Sequence, residues 1–342
     1  MEPSAARFKL NAGCIPLYRR EINLLSDSSF AMSASAPLRP RMLVIGDVMT
    51  DVIVRPDGPL VVGSDRRAKI GLYPGGSGCN QAAWLAHFGI PVAFAGRVGR
   101  RDLAEQEQAL RDAGVVPVLS ADDERTTGML IVLLSEGGER SFLTDRGAND
   151  GLSAEDLPFS MLNEIDLVHV SGYSLFTPGP REAVMAMMAV ARARGITVTV
   201  DPASVGFLEE VGPSNFLGWT SDASIIFPNA EEAACLTGTR NAAEQIRFLT
   251  ARYDLAVIKR GAEGAEAANL SVRLKAAAPK VEVADTTGAG DAFLAGFLAA
   301  HLAGKGVDVC LERGVKAGAE ATTVFGGRPK HGNPLPRVWG EV

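Results

Sequence analysis

Asp285-Thr286-Thr287-Gly288-Ala289-Gly290-Asp291-Ala292-Phe293 runs directly into Leu294-Ala295-Gly296-Phe297-Leu298-Ala299-Ala300, and this junction decides the fold. The second run is too apolar for a surface loop, and small residues stand where its helix has to begin. A helix start leaves backbone N–H groups unpaired and carries partial positive charge. Gly288, Ala289 and Gly290 let an anion come close to those donors. One carboxylate, Asp291, stands in the loop. Beside an anion site a carboxylate is an electrostatic liability unless it has a task. The task that fits is to take a proton from a hydroxyl nucleophile while the N–H groups hold a phosphate. The same residues also satisfy a plainer pattern, a glycine-rich turn before a core helix with Asp291 as its cap.

Upstream, Pro74-Gly75-Gly76-Ser77-Gly78-Cys79-Asn80-Gln81-Ala82 is a second glycine-rich segment, followed by a buried helix from Ala82 to Phe88. Its glycines permit close backbone approach, and Asn80 offers donors and an acceptor, a mixture that suits a hydroxyl-rich ligand. It is not a dinucleotide fingerprint, because the third glycine is missing and the first strand is too far away. No G-x-x-x-x-G-K-[ST] occurs either, so this is not a P-loop enzyme.

Together the two segments resemble the signatures of the ribokinase-like (PfkB) carbohydrate kinases, and the resemblance runs from about Met42 to about Arg328. It implies an α/β fold, with a central mostly parallel sheet flanked by helices and a small β-sheet lid at about 52–72. It implies an ATP-dependent kinase that uses Mg²⁺ to transfer the γ-phosphoryl group to a sugar hydroxyl. In that family the residue matching Asp291 is the catalytic base, and Gly288, Ala289 and Gly290 form the anion hole. Asp51, Gly76, Asn80 and Asn149 match positions near the sugar. Asn229 and Glu232 have the N-x-x-E spacing used near the phosphates, with Glu232 acting on Mg²⁺ through water; a helix cap with a first-turn Glu satisfies the same pattern. Lys259, Gly261 and Gly264 resemble the nucleotide-side loop. Asp285 and Thr287 match a monovalent cation site, K⁺, that some members use. The lid often pairs subunits, which implies a homodimer. Ribokinases commonly carry Lys where Ser77 stands, which counts against ribose itself. Asp201-Pro202-Ala203-Ser204 lacks the Asp-x-Asn-x-Arg of many fructokinases and ketodeoxygluconate kinases. A nucleoside kinase of the pseudouridine or adenosine type is the alternative, as is a non-catalytic sugar sensor on the same fold.

The remaining sequence agrees with that class. A chain of 342 residues with 46% hydrophobic and 22% charged residues is ordinary for a globular protein. The net charge of −6, with both signs interspersed, argues against a nucleic-acid surface. Cys14, Cys79, Cys235 and Cys310 make no metal spacing, so a reducing cytoplasm is expected. No apolar run is long enough to span a bilayer. Residues 1–41 are polar and breaker-rich and read as a disordered extension, with Met42 a natural first residue of the folded part. The kinase domain is expected over 42–328, with a tail at 329–342. Apolar runs place strands at Met42–Val48, Val92–Val98, Asp166–Val170, Ile196–Val200, Ser224–Phe227 and Leu255–Ile258. Helices are expected at Leu103–Ala113, Pro178–Arg194 and Val309–Val324. Met129–Leu134 is expected to pair with Arg140–Thr144. From there on, strands and helices alternate as in a parallel sheet with right-handed crossovers.

Overall fold

The computed structural model describes residues 39–134 and 140–329. Its main sheet is built from β1 (Met42–Ile45), β4 (Val92–Gly99), β5 (Val116–Asp122), β8 (Leu167–Ser171), β9 (Thr197–Asp201), β10 (Ile225–Ile226), β11 (Leu255–Lys259), β12 (Ala265–Ala268) and β13 (Arg273–Ala276). The lid sheet consists of β2 (Met49–Pro56), β3 (Ala68–Gly75), β6 (Gly128–Leu134) and β7 (Arg140–Asp145). Strand β1 shows why the apolar runs read as buried strands. Leu43 and Ile45 pack into one core, Met42 and Val44 into another, and all four are fully buried. A strand covered on both faces cannot alternate with polar residues.

Helices supply the two covers. On one face lie α3 (Pro178–Ala193), α4 (Val205–Val211), α5 (Pro213–Trp219), α6 (Ala230–Thr237) and α7 (Ala242–Thr250). On the other lie α1 (Ser77–His87), α2 (Leu103–Asp112), α8 (Ala289–Leu302) and α9 (Val307–Thr322). The sheet order is β13-β12-β11-β10-β9-β8-β1-β4-β5. Neighbours from β11 to β5 are parallel, and β12 and β13 add an antiparallel edge. The order reverses at β1, since β4 follows on one side and β8 on the other. Such a switch point opens a crevice at the carboxyl ends of the strands, where open α/β sheets bind ligands.

The lid is larger than the stretch at 52–72. Its order is β3-β2-β6-β7, and the parallel pairing of β2 with β6 (Val52 opposite Ile131) joins two hairpins from distant parts of the chain. The expected pairing of β6 with β7 is present. Strands β5, β12 and β13 and helices α4, α5 and α7 were not legible as elements. Arg41, assigned from sequence to the extension, donates its N–H to Pro91 O and accepts from Asp166 N, both at 2.8 Å. Apart from residues 39–41 and Pro329, the extension and the tail lie outside the described residues. Among the described residues, no helix is long and apolar enough to cross a membrane.

Candidate active site

Helix α8 begins at the crevice. Gly288 caps it in the left-handed region at φ 73°, and a Cβ there would lie 2.5 Å from Gly327 O. No other residue fits that backbone without displacing the 326–328 segment. The first-turn N–H groups of Gly290 and Asp291 lack intrahelical acceptors. A Cβ added to Gly290 would lie 3.5 Å from Lys259 Nζ, so the loop opens toward a cation.

Asp291 occupies the first turn of α8, partly buried. Its Oδ1 accepts from Ser77 Oγ at 2.7 Å and from Gln81 Nε2 at 3.1 Å, and its Oδ2 from Asn80 Nδ2 at 3.5 Å. Burial pushes the Asp291 carboxyl up to about 7, against the Ser77 hydrogen bond that favours its charge. A carboxylate poised near neutral pH is suited to accept a proton.

A directed chain of hydrogen bonds lies behind it. Ser77 and Gln81 stand four residues apart on α1 and so share a face. Because Gln81 Nε2 donates to Asp291, Oε1 is left to accept from His169 Nε2 at 3.0 Å. His169 Nδ1 is then the acceptor for Thr199 Oγ1 at 2.8 Å. His169 is fully buried, and burial lowers its imidazole to about 4, so it stays neutral. Each donor in the chain Thr199, His169, Gln81 points toward Asp291.

On the acceptor side, Asp47 follows β1 and accepts from Ser77 N at 3.3 Å, Gly78 N at 3.2 Å and Ser171 Oγ at 3.3 Å. It holds the start of α1 against the sheet. Gly76 has φ 89°, and a Cβ there would lie 2.4 Å from Asp47 O. Asp51 projects from β2, and its Oδ1 is buried without a hydrogen-bond partner. Burial pushes its carboxyl up to about 7, although Arg328 works against that. Asn80 Oδ1 accepts from Arg328 Nε at 3.2 Å. Asn149 spends its amide on backbone: it accepts from Val48 N at 2.8 Å and donates to Val48 O at 2.9 Å and Arg146 O at 2.8 Å. It thereby fixes the point where β1 leads into the lid.

On the far side, Lys259 Nζ meets Asp201 Oδ2 at 2.6 Å. Burial works against the Lys259 charge, but Asp201 and Glu232 outweigh it and hold its ammonium above the usual range. Glu232 is raised by burial first and then by the Asp201 charge. Asn229 caps α6, accepting from the N–H groups of Glu231 and Glu232 at 2.9 Å, while Glu232 Oε2 accepts from Asn229 N at 2.8 Å. The capping box is thus present, whatever else these residues do. A Cβ on Gly264 would lie 2.0 Å from Ala276 O, and around Gly261 there is open space. Beside Ala276 a cleft of about 390 Å³ is lined by Ala277, Pro279, Glu312 and Lys316 among others. Asp285 accepts from Thr287 N at 2.8 Å and Gly326 N at 3.1 Å, which ties the anion loop to the end of the described chain.

Asp291, the anion loop, Asn80 and Lys259 therefore come together at the crevice, with Asp51 on the lid side of it and Asn229 and Glu232 on the other. Asp201 is held by Lys259, and among the described residues no group of three or more His, Cys, Asp or Glu side chains is placed to hold a metal ion, so a Mg²⁺ here would keep most of its waters, with the buried Glu232 carboxylate nearby. Asp47, Gln81, His169, Thr199, Asp201 and Arg328 escaped the sequence reading as site residues. A signal existed for some: Leu-Val-His-Val-Ser and Thr-Val-Thr-Val-Asp place polar residues at every second position of strands that should be apolar on both faces.

A family model described as pfkB family carbohydrate kinase matches residues 39–331. An ATP-dependent ribose-1-phosphate kinase of Halopiger xanaduensis is 28% identical over 294 residues, covering 82% of this chain and 90% of its own. The aminoimidazole riboside kinase of Salmonella typhimurium is 30% identical over 273 residues, covering 75% and 80%. Among solved structures, the adenosine kinase of Sinorhizobium meliloti superposes with a TM-score of 0.76 at 25% identity, covering 85% of this chain and 96% of that one.

Proposed function

The chain belongs to the pfkB family of carbohydrate kinases, and on that premise we propose that it transfers the γ-phosphoryl group of ATP to a hydroxyl of a sugar. The observation that carries this reading is the meeting of Asp291, the open start of α8 and Lys259 at one place. A proton acceptor, backbone donors and a buried cation are what phosphoryl transfer to a hydroxyl asks of a protein.

Asp51, Gly76 and Asn80 orient the acceptor, and Asn149 secures the lid root. Asp291 takes the proton of the attacking hydroxyl through the oxygen not bonded to Ser77. The N–H groups from Gly288 to Asp291 stabilise charge developing on the transferred phosphoryl group, and Lys259 adds its own charge from the nucleotide side. The turn from Gly261 to Gly264 and the cleft beside Ala276 receive the nucleotide. Glu232, set by the Asn229 N–H, would hold a water of Mg²⁺, and the ion when bound would supply neutralisation of phosphate charge. Asp285 and Thr287 would hold K⁺, which would brace the anion loop that Asp285 already ties to Gly326 N. Equal rates in potassium and in a bulky organic cation would remove that role.

The lid also pairs with a second copy of this chain. Strand register places Val52, Ile70, Leu72, Met129, Ile131 and Leu143 on the face opposite Asp51, an apolar face too continuous for solvent. A nucleoside acceptor is the second reading. Ile53 and Val132 share the face of Asp51, and an aromatic base would pack against them. ADP formation measured over neutral sugars, sugar acids, sugar phosphates and nucleosides tests the reading. Turnover with at least one sugar supports it, turnover with nucleosides alone favours the second reading, and no turnover with any hydroxyl acceptor contradicts both.

A further inference from the structure

Lys259 ends β11 and Asp201 ends β9, with β10 between them in the sheet. Neighbouring strands lie about 4.8 Å apart, so the two side chains meet across roughly 10 Å of sheet edge. The lysine backbone is fixed first, since Lys259 N donates to Pro228 O at 2.9 Å. Its Nζ then meets Asp201 Oδ2 at 2.6 Å, and the two side chains are 13% and 5% exposed. An ammonium has three donors, and among the described residues Nζ gives one, to Asp201. The same nitrogen lies 3.5 Å from where a Cβ on Gly290 would stand. Two donors are left over beside the first turn of α8, where the N–H groups of Gly290 and Asp291 lack intrahelical acceptors.

Asp201 is itself built into place. Its Oδ1 accepts from Ala203 N at 2.9 Å. That turn puts Ala203 at φ 73°, and among the described residues it is the one non-glycine with a positive φ. Alanine is strained there, and such strain persists where the surroundings over-determine it. The surroundings here are the turn after β8. A Cβ on Gly172 would lie 2.5 Å from Asp201 O and 2.7 Å from Pro202 O, so the two loops touch backbone to backbone. A pair that only balanced charge would not need a strained turn behind it. The charges around the lysine divide in the same way. Burial opposes its ionisation, Asp201 restores it first, and Glu232 from α6 and Asp291 from α8 add to that. His169, on β8, stays neutral.

We propose that Asp201 is a positioning residue for the phosphoryl site, holding the Lys259 ammonium where a phosphate gripped by the start of α8 meets it. This deepens the kinase reading and rests on it. Asp201 touches neither substrate. It acts through Lys259, whose remaining donors and the α8 N–H groups close on the same oxygen atoms.

The test is calorimetric binding of a non-hydrolysable ATP analogue with Mg²⁺ to the full chain, followed from about pH 7.5 to about pH 10. Wild type should change little over that range, because the paired ammonium keeps its proton. Asp201→Asn keeps the side-chain shape and removes the anion, so burial gains the upper hand and Lys259 loses its proton within the range. Affinity of that variant should fall about tenfold from the lower pH to the higher. The fall should vanish in the double variant Asp201→Asn, Lys259→Met, which assigns it to the lysine. A merely structural Asp201 would weaken binding equally at every pH, and parallel profiles for Asp201→Asn and wild type overturn the proposal. A second arm does not need Asp201→Asn to fold. Lys259→Met leaves the Asp201 carboxylate unpaired beside the phosphate, and the double variant removes that charge as well. At about pH 8.5 the double variant should bind the analogue several-fold tighter than Lys259→Met alone, and equal affinities overturn the proposal. Lys259→Met binding as tightly as wild type overturns it too, since the ammonium would then not face the phosphate. ADP formation by wild type with authentic ATP is scored separately. Its absence while the analogue binds would count against the kinase reading and leave the role of Asp201 standing.

Discussion

At the scale of single residues, Asp291 was legible because a lone carboxylate in an anion loop needs a reason. What surrounds it was not. Gln81 and His169 lie 88 positions apart, and only the packing of α1 on β8 joins them. Their contribution has a sign. The Gln81 N–H favours the ionised form of Asp291, and His169 holds Gln81 in the orientation that delivers it. His169→Leu should therefore raise the Asp291 pKa and move the acid limb of the kcat/KM profile to higher pH. At a pH below the limb, moving the limb up by one pH unit costs about tenfold in ionised base. The loss should be larger at pH 6 than at pH 8.5, and a pH–rate profile decides it: an equal loss at every pH would make His169 merely structural. Stability gives a second handle. The folded Asp291 carboxyl lies at about 7, above its ordinary 3.8. Its contribution to stability is therefore fully present below about pH 4 and lost as pH rises through 7. Asp291→Asn should melt at a higher temperature than wild type at pH 8, with the gap closing toward pH 4. A lower melting point for the variant at pH 8 would show that its charge is better accommodated than burial suggests.

At the scale of elements, the strands with β-branched or long apolar runs were read within a residue or two, because burial on both faces leaves one pattern, save that β1 ends at Ile45 and not at Val48. Strand β12, Ala-Glu-Ala-Ala, was missed, since alanine and glutamate carry no strand preference and the pairing with β11 decides. Strand β5 pairs on one side at the sheet edge and contains Pro117, which reads as a break. The glycines of the second signature serve packing as well as ligand approach. A Cβ on Gly46 would lie 2.7 Å from Gly78 Cα, so β1 and α1 touch backbone to backbone. Gly46→Ala should cost about 1–3 kcal/mol, the usual scale of overpacking. Gly218→Ala, at a helical position with open space around it, should instead gain about 0.5–1 kcal/mol. Denaturant melts of the two variants check both signs, and a neutral Gly46→Ala would mean that the strand–helix contact yields easily.

At the scale of the whole molecule, the class of the main sheet followed from alternating elements, and the lid did not. Two hairpins far apart in sequence join through one parallel pairing, and no local pattern announces that. The site inherits the limitation: Arg328 enters it from the end of the described chain, where the sequence shows only Gly-Gly-Arg. The proposed pairing of two copies through the lid is tested at this scale too. Ile131→Asp on the face opposite Asp51 should turn a dimer into a monomer in equilibrium sedimentation, and an unchanged mass would place the subunit contact elsewhere or nowhere. In the proposed reaction Asp291 removes the proton while the loop before it holds the phosphate. One measurement addresses it most directly: ADP formation by Asp291→Asn with the best acceptor, beside calorimetric binding of that acceptor and of an ATP analogue. The variant keeps the side-chain shape, and its Oδ1 still accepts from Ser77 and Gln81. Both ligands should bind while turnover falls by about 10²–10⁴-fold. Turnover within about tenfold of wild type, or loss of both ligands together, would contradict it.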